Sequence, residues 1–528
     1  MVFNRWPSAV KPPVDGEISA VVGQFSMVGF RQSAINEIDA KKARIQISQA
    51  NDERYIMRKY LYVLLFLSVI LSCGRRGIGS TIGGELTGVP TGKVWEEPTP
   101  YNMVLVTRGA YRMGPGETDS LWGTTIPSKG VSVDNFWMDE TEITNSQYKQ
   151  FVYWVRDSII RERLADPAFG GDDLYKISKD DYGDPIPPVL NWSVPIPWRR
   201  NTEEEEAAIN SVYITHPITG KKMLDAAQMN FRYEWFDAAE AAKREYRLDP
   251  AKRSLNTDLI SNPNEVILIS KDTAYVTPEG RIVNETITRP LSTLYDFVHT
   301  RIVNIYPDTT CWVNDFPNAN NEPYMRNYFS HAAYAHHPVV GVSWEQATAF
   351  CEWRTLFLRK SIHRGDVVVE KYRLPTEAEW EMAARNANSD NRYPWDSNAT
   401  TGESGCYNAN FKPGEGAYAA DNHLIPAKVR SFKPNQFGLY EMAGNAAEWT
   451  STAYTESGNR EMNDMNPEYN HRPGSNAPYL MQRKVVKGGS WKDIATFIRS
   501  DMRDAEYANR GRSYIGFRCV RSQIAGRK

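Results

Sequence analysis

Glycine and proline punctuate this chain so densely that few long regular elements can form. Of its 528 residues, 35 are Gly and 31 are Pro. Stretches such as "YGDPIPPVLNWSVPIPWRR" (182–200) and "FGLYEMAGNAAEWTS" (437–451) break any helix or strand that enters them. A fold built from short elements and long loops needs bulky side chains to fill the gaps, and the 15 Trp and 28 Tyr suit that need. The length allows one large elaborated domain or two to three smaller ones. A net charge of −2 gives no basic footprint, so no nucleic-acid partner is expected.

A second feature sets the address. Met57-Arg58-Lys59 precedes the apolar run "YLYVLLFLSVILS" (60–72), which ends at Cys73. A charged start, a short apolar stretch and a small residue before Cys form the pattern of a bacterial lipoprotein signal, with 57–72 removed and Cys73 lipidated. The run is too short to span a bilayer comfortably. An export signal begins at an N-terminus, so Met57 is the expected start and 1–56 is not expected in the mature protein. Residues 73–100 are Gly-rich and read as a flexible tether. Gly74 leaves no inner-membrane retention signal, and no acidic export cluster follows. The expected location is the outer membrane, on its periplasmic face.

From 101 to 152 the pattern is strand, turn, strand, helix, with the helix capped near Thr144-Asn145. Residues 155–336 read as a long insertion without a catalytic constellation. Within it the acidic run Glu203–Glu206 suits a helix start, "FRYEWFDAAEAAKREYRL" (231–248) reads as an amphipathic helix, and "AYVTPEGRIVNETIT" reads as a hairpin turning at Pro278-Glu279-Gly280. From His337 the core resumes. Ser343 caps a helix burying Ala347, Phe350, Cys351 and Leu356. Thr376 and Glu379 form a capping box. "FGLYEMAGNAAEWTS" reads as a loop, and the C-terminal region reads as two short strands. Cys311, Cys351, Cys406 and Cys519 lack CxxC spacing, and His336-His337 lacks zinc spacing, so both are read as carrying no metal.

Eight ordered motifs, "MVLVTRGAYRMG", "DETEITNSQYKQFV", "HPVVGVSW", "YRLPTEAEWEMAAR", "YPWDSN", "FGLYEMAGNAAEW", "KGGSW" and "IGFRCVR", together resemble the formylglycine-generating enzyme, or sulfatase-modifying-factor, family over about 101–152 and 337–522. The resemblance implies an α+β, C-type-lectin-like domain, poor in regular structure, spanning 101–522. Active members hold copper(I) with two cysteines after the Gly-Gly-Ser segment. Those positions fall here on Asp493 and Ile498, so neither copper nor oxidase activity is expected, and Ser490 lacks a base. A groove-lining tryptophan falls on Ala447. The resemblance also implies a disulfide between Cys351 and Cys519. It implies two calcium sites, one at Glu441, Gly444, Ala446 and Glu448, the other at Asn410, Phe411, Asp421 and His423.

The lipoprotein box, "GGELTG", "PYNMV", the long insertion and "YPDTTCWVNDFPNANNEPYMRNYF" (306–329) resemble more narrowly the K-type lipoproteins of bacteroidete gliding motility and type IX secretion. That implies a structural ring subunit, assembling with copies of itself and an N-type partner. Trp192, Trp198, Trp235 and Trp312 are either interface anchors or the insertion's own core. Two other functions stand beside this one: a lipoprotein that binds a peptide or ligand in the family groove, and an enzyme with altered chemistry. The second is weakened by the absence of His from 487–518.

Overall fold

The computed structural model describes residues 97–524, apart from 116–127, 180–181, 200, 218–219, 244–245, 247, 250–253, 256–265, 278, 362–369, 386–390 and 471–478. The chain divides into two units, Met1–Lys93 and Val94–Lys528. The expected signal segment, Cys73 and all but the end of the expected tether lie outside the described residues. Among the described residues, no helix is long and apolar enough to cross a membrane.

Two hairpin-like pairs begin the second unit. Strand β1 (Met103–Val106) pairs antiparallel with β4 (Phe136–Asp139), and β2 (Gly109–Met113) pairs with β3 (Lys129–Val133). Helix α1 (Asn145–Leu164) follows, capped as expected. Gln147 N–H donates to Thr144 Oγ1 at 3.3 Å, and Thr144 N–H donates to Gln147 Oε1 at 2.8 Å. This reciprocal bond satisfies donors that a helix start leaves open.

The 155–336 segment adds β5 (Lys176–Lys179), β6 (Pro185–Leu190), α2 (Glu203–Asn210), β7 (Asn230–Phe236), β8 (Leu268–Val276), β9 (Ile282–Pro290) and β10 (Val298–Asn304). The expected acidic helix start is α2. The expected hairpin is β8–β9, closed where Thr277 N–H donates to Arg281 O and Gly280 N–H donates to Thr277 O. The amphipathic helix expected over 231–248 is not what forms. Its first part is strand β7, with Phe231 and Tyr233 buried and Arg232 and Glu234 exposed between them. That alternation is period two, and it pairs with β10. Among the described residues, α-helix here is confined to Ala238–Ala241, capped by Asp237.

The segment also shares its core with the rest of the unit. Ile209, Phe231, Tyr233 and Ile305 join Tyr148, Phe151, Phe350, Trp353 and Phe517 in one buried cluster. Tyr148 stacks on Phe350 at 5.5 Å and donates its hydroxyl to Ile305 O. Of the four segment tryptophans, Trp312 is buried, Trp192 stacks on Trp154 at 4.9 Å, and Trp235 stacks on His299 at 5.2 Å. Trp198 alone of these is largely exposed.

Helix α3 (Trp344–Ser361) is capped by Ser343 and buries Ala347, Phe350 and Cys351. Leu356 faces solvent instead, and Trp353 takes the inward place. Helix α4 (Glu377–Arg385) starts at the Thr376–Glu379 box. The run read as a Gly-punctuated loop ends in strand β11 (Ala447–Ala453), and the C-terminal region holds four strands rather than two. These are β12 (Arg483–Lys487), β13 (Asp504–Tyr507), β14 (Ile515–Gly516) and β15 (Val520–Ser522). Their sheet order is β13-β12-β11-β14, with β11 and β14 parallel. Strand β15 instead joins β4, so a second sheet runs β1-β4-β15 and ties the unit's two ends together.

Glycine is required where backbones touch. Gly444 has φ +72°, and a Cβ there would lie 2.2 Å from Asn410 O. Gly280 has φ +78° but open space around it. Gly280→Ala is expected to cost about 1 kcal/mol of backbone strain, and Gly444→Ala several times more because a backbone carbonyl cannot yield. Urea unfolding midpoints check this; equal losses would show that the close approach at Gly444 relaxes freely.

Candidate functional site

The "KGGSW" segment leaves strand β12 and turns sharply at Gly488 (φ +88°) and Gly489 (φ +62°). A Cβ on Gly489 would sit 2.6 Å from Phe497 O, so the glycine allows the chain to fold back upon itself. Ser490 N–H and Oγ both donate to Asp493 Oδ2, at 3.0 and 2.6 Å, and Asp493 N–H donates to Ser490 O. Lys492 pairs with the other oxygen of Asp493. Asp493 is therefore a turn-locking carboxylate. Ile498 is fully buried among Tyr393, Ala409, Phe411 and Ala443. The two positions that would carry thiolates hold a salt-bridged turn and an apolar core.

The floor of the groove is covered. Ser490 is fully buried, and Trp491 and Ala447 are nearly so. Trp312 stacks on Trp491 at 6.2 Å, and Phe316 lies 5.3 Å from it. Asp315 holds this cover down, accepting from Ser513 N–H and Oγ and from Arg512.

Behind the floor lies a buried charged centre, of which sequence reasoning named Glu448 and Glu441 but not Arg518 or Glu142. Arg518, fully buried, donates through Nε and Nη2 to both oxygens of Glu448 at 2.7–2.9 Å. Its remaining donors meet the carbonyls of Asp139, Glu140 and Tyr440. Trp380 Nε1 also donates to Glu448 at 2.7 Å. Glu142 accepts from Asn445 Nδ2 and Ala446 N–H at 3.0 Å. Burial pushes the Glu142 carboxyl well above its usual range, and the neighbouring Glu441 and Glu448 push it further. The available signal was a charge inside an apolar run, Arg518 in "IGFRCV".

Cys351 and Cys519, the pair expected to form a disulfide, lie side by side and buried, with unbonded sulfurs 3.5 Å apart. Cys311 is buried and Cys406 exposed.

The two sets implied to hold calcium differ. At the first, both Glu448 oxygens are bound to Arg518, and Glu441 accepts from the N–H groups of Arg430, Ser431 and Phe432. The guanidinium supplies the cation, so Glu441, Gly444, Ala446 and Glu448 do not fit a second one. At the other, Asp421 gathers the loop by accepting from Phe411 and His423 N–H, while Asn410 Oδ1 is buried without a donor. An orphaned oxygen beside a buried carboxylate suits a hard cation. Among the described residues, no three His, Cys, Asp or Glu side chains cluster as metal ligands, so carbonyl oxygens would have to complete this set.

The Glu142 shift sets a pH dependence. A carboxyl whose folded pKa is raised contributes stability in full below its unfolded value, near 4.5, and loses it as pH rises through the folded value. Glu142→Gln removes that loss, so the variant is expected to gain stability relative to wild type as pH rises from about 4.5 to neutrality. Denaturant midpoints at both ends check it; a stability difference constant with pH would refute the assignment.

A family model described as "Sulfatase-modifying factor enzyme 1-like domain" matches residues 92–248 and 273–523, most of the chain. The formylglycine-generating enzyme of Streptomyces coelicolor is 34% identical over 190 residues, 35% of this chain and 52% of that protein. The mouse protein named inactive C-alpha-formylglycine-generating enzyme 2 is 32% identical over 196 residues, 36% of this chain and 50% of that protein. The chain thus spans about half the length of these curated relatives. The structure of PvdO from Pseudomonas aeruginosa aligns over 82% of this chain and all of that one, at 14% identity and a TM-score of 0.40. The ordered motifs, the mixed short-element fold and the family match agree: the chain belongs to the sulfatase-modifying factor enzyme 1-like family, which includes active and inactive members.

Proposed function

We propose that this chain is a non-catalytic, lipid-anchored building block: a K-type ring subunit of the type IX secretion system. It would sit at the periplasmic face of the outer membrane, assembling with its own copies and an N-type partner. The observation that carries the non-catalytic part is the use of Asp493 and Ile498 as a turn lock and a core residue. A carboxylate already bonded to Ser490 and Lys492 and a buried isoleucine supply no thiolate. The burial of Ser490 and the packing of Trp312 and Phe316 on Trp491 also weigh against a peptide bound in the family groove. The ring role rests on the narrower resemblance and the lipoprotein pattern. Cys73 would carry the anchor, with several acyl chains giving stable attachment.

Two outcomes are expected. Extraction from membranes in mild detergent should yield a very large particle with one dominant second protein; a monodisperse monomer would overturn the assembly reading. Supplied with copper(I) and a cysteine-containing sulfatase peptide, the purified chain should leave the cysteine unconverted. The mass change of a formylglycine product would sink the non-catalytic reading.

We also propose that Asn410 and Asp421 side chains, with the carbonyls of Phe411 and His423, hold one structural calcium. A chelator-treated chain should regain stability on calcium addition, by about 2.7 kcal/mol at a hundred times Kd. Asp421→Asn should abolish most of that gain. No calcium-dependent shift in the wild-type unfolding midpoint would refute the site.

A further inference from the structure

The β8–β9 hairpin is a two-stranded sheet among the described residues, and such a ribbon is marginal in water without a third strand. Its face towards β10 is occupied. Asp272 N–H donates to His299 Nδ1, and the Asn284 amide exchanges bonds with the backbone of Ile302. The outer strand is different: every residue from Asn284 to Pro290 is exposed. Edges are commonly protected by proline, and β6 carries Pro185, Pro187 and Pro188. Strand β9 has no proline before its last residue. From this we propose that β9 pairs antiparallel with β9 of a second copy, about a twofold axis at Ile287.

Register follows from the hairpin itself. The Thr277 N–H to Arg281 O bond closes the turn, and bonded pairs then alternate. Val283, Glu285, Ile287 and Arg289 therefore bond to β8, while Ile282, Asn284, Thr286 and Thr288 turn their backbone groups outward. With the axis at Ile287, Thr286 lies opposite Thr288 of the second copy, and the two exchange backbone bonds. On the other face Ile287 meets Ile287, flanked on both sides by Glu285 opposite Arg289. These fall at non-bonded pairs, where side chains approach most closely. Glu285 has no ion pair among the described residues, and Arg289 reaches only Asp296, at 3.4 Å. Asp296 is buried and already accepts from Ser292 and Thr293. Moving the axis to Glu285 would set Glu285 against Glu285, and a one-residue slip would misplace every bonding group. Among pairings that stay within Ile282–Pro290, this one alone sets opposite charges against each other. This contact goes beyond the ring proposed above and does not require it.

The test uses the full chain in mild detergent, with the exposed native thiol removed as Cys406→Ser. Ile287→Cys should give a disulfide-linked dimer on mild oxidation. Thr273→Cys, one strand inward and opposite Glu285, should not. The cross-link reads local twofold geometry in a particle of any size. Glu285→Arg should weaken the uncrosslinked dimer roughly tenfold or more by setting like charges opposite, and adding Arg289→Glu should restore it. The proposal is overturned by equal cross-linking of the two Cys variants, by a linked partner other than this chain, or by a dimer indifferent to Glu285→Arg.

Discussion

The contact between Arg518 and Glu448 organises the rest of the unit. A guanidinium removed from water is costly, and only a bidentate carboxylate with further acceptors makes its burial tolerable. Glu448 lies on β11, Arg518 just before β15, and Trp380 on α4 adds a third donor. The carbonyls of Asp139, Glu140 and Tyr440 complete the ring of partners. One ion pair therefore fixes the four-stranded sheet, the three-stranded sheet and a helix against each other. Short elements with little hydrogen bonding of their own gain their positions from this centre, and from Lys487–Glu381 and Arg354–Asp139 around it.

Around that centre, the positions that the family resemblance assigns to copper are packed and bonded. Asp493 ties the turn at Ser490, Ile498 fills the core, and Trp312 and Phe316 close over Trp491. The segment 155–336 contributes to the principal core as well as to the surface. The turn at Ser490 and the cover over Trp491 are thus parts of one continuous packing.

Much of this was legible in the sequence where the signal is local. The caps at Thr144, Ser343 and Thr376, the turn before Gly280 and the order of the motifs depend on residues a few positions apart. The failures were non-local. The strand Asn230–Phe236 was hidden by the alanines that follow it, because helix propensity over 238–242 outweighed a short alternation. Leu356 fits a helical stripe but lies outside the face that α1 and β7 cover. Arg518 and Glu142 were not singled out, since their burial depends on partners tens to hundreds of residues away. Of the groove, the residue types that lack thiolates were legible, whereas its cover by Trp312 was not.

The sheet that joins β1 and β4 to β15 has a consequence for the order of folding. Cys519 N–H donates to Asp139 across 380 residues, and β15 supplies the outer partner of β4. The unit's first strands cannot acquire their last neighbour until almost the whole polypeptide is available. Such high contact order slows the final collapse. A chain that emerges N-terminus first thus leaves this sheet open until synthesis is nearly done.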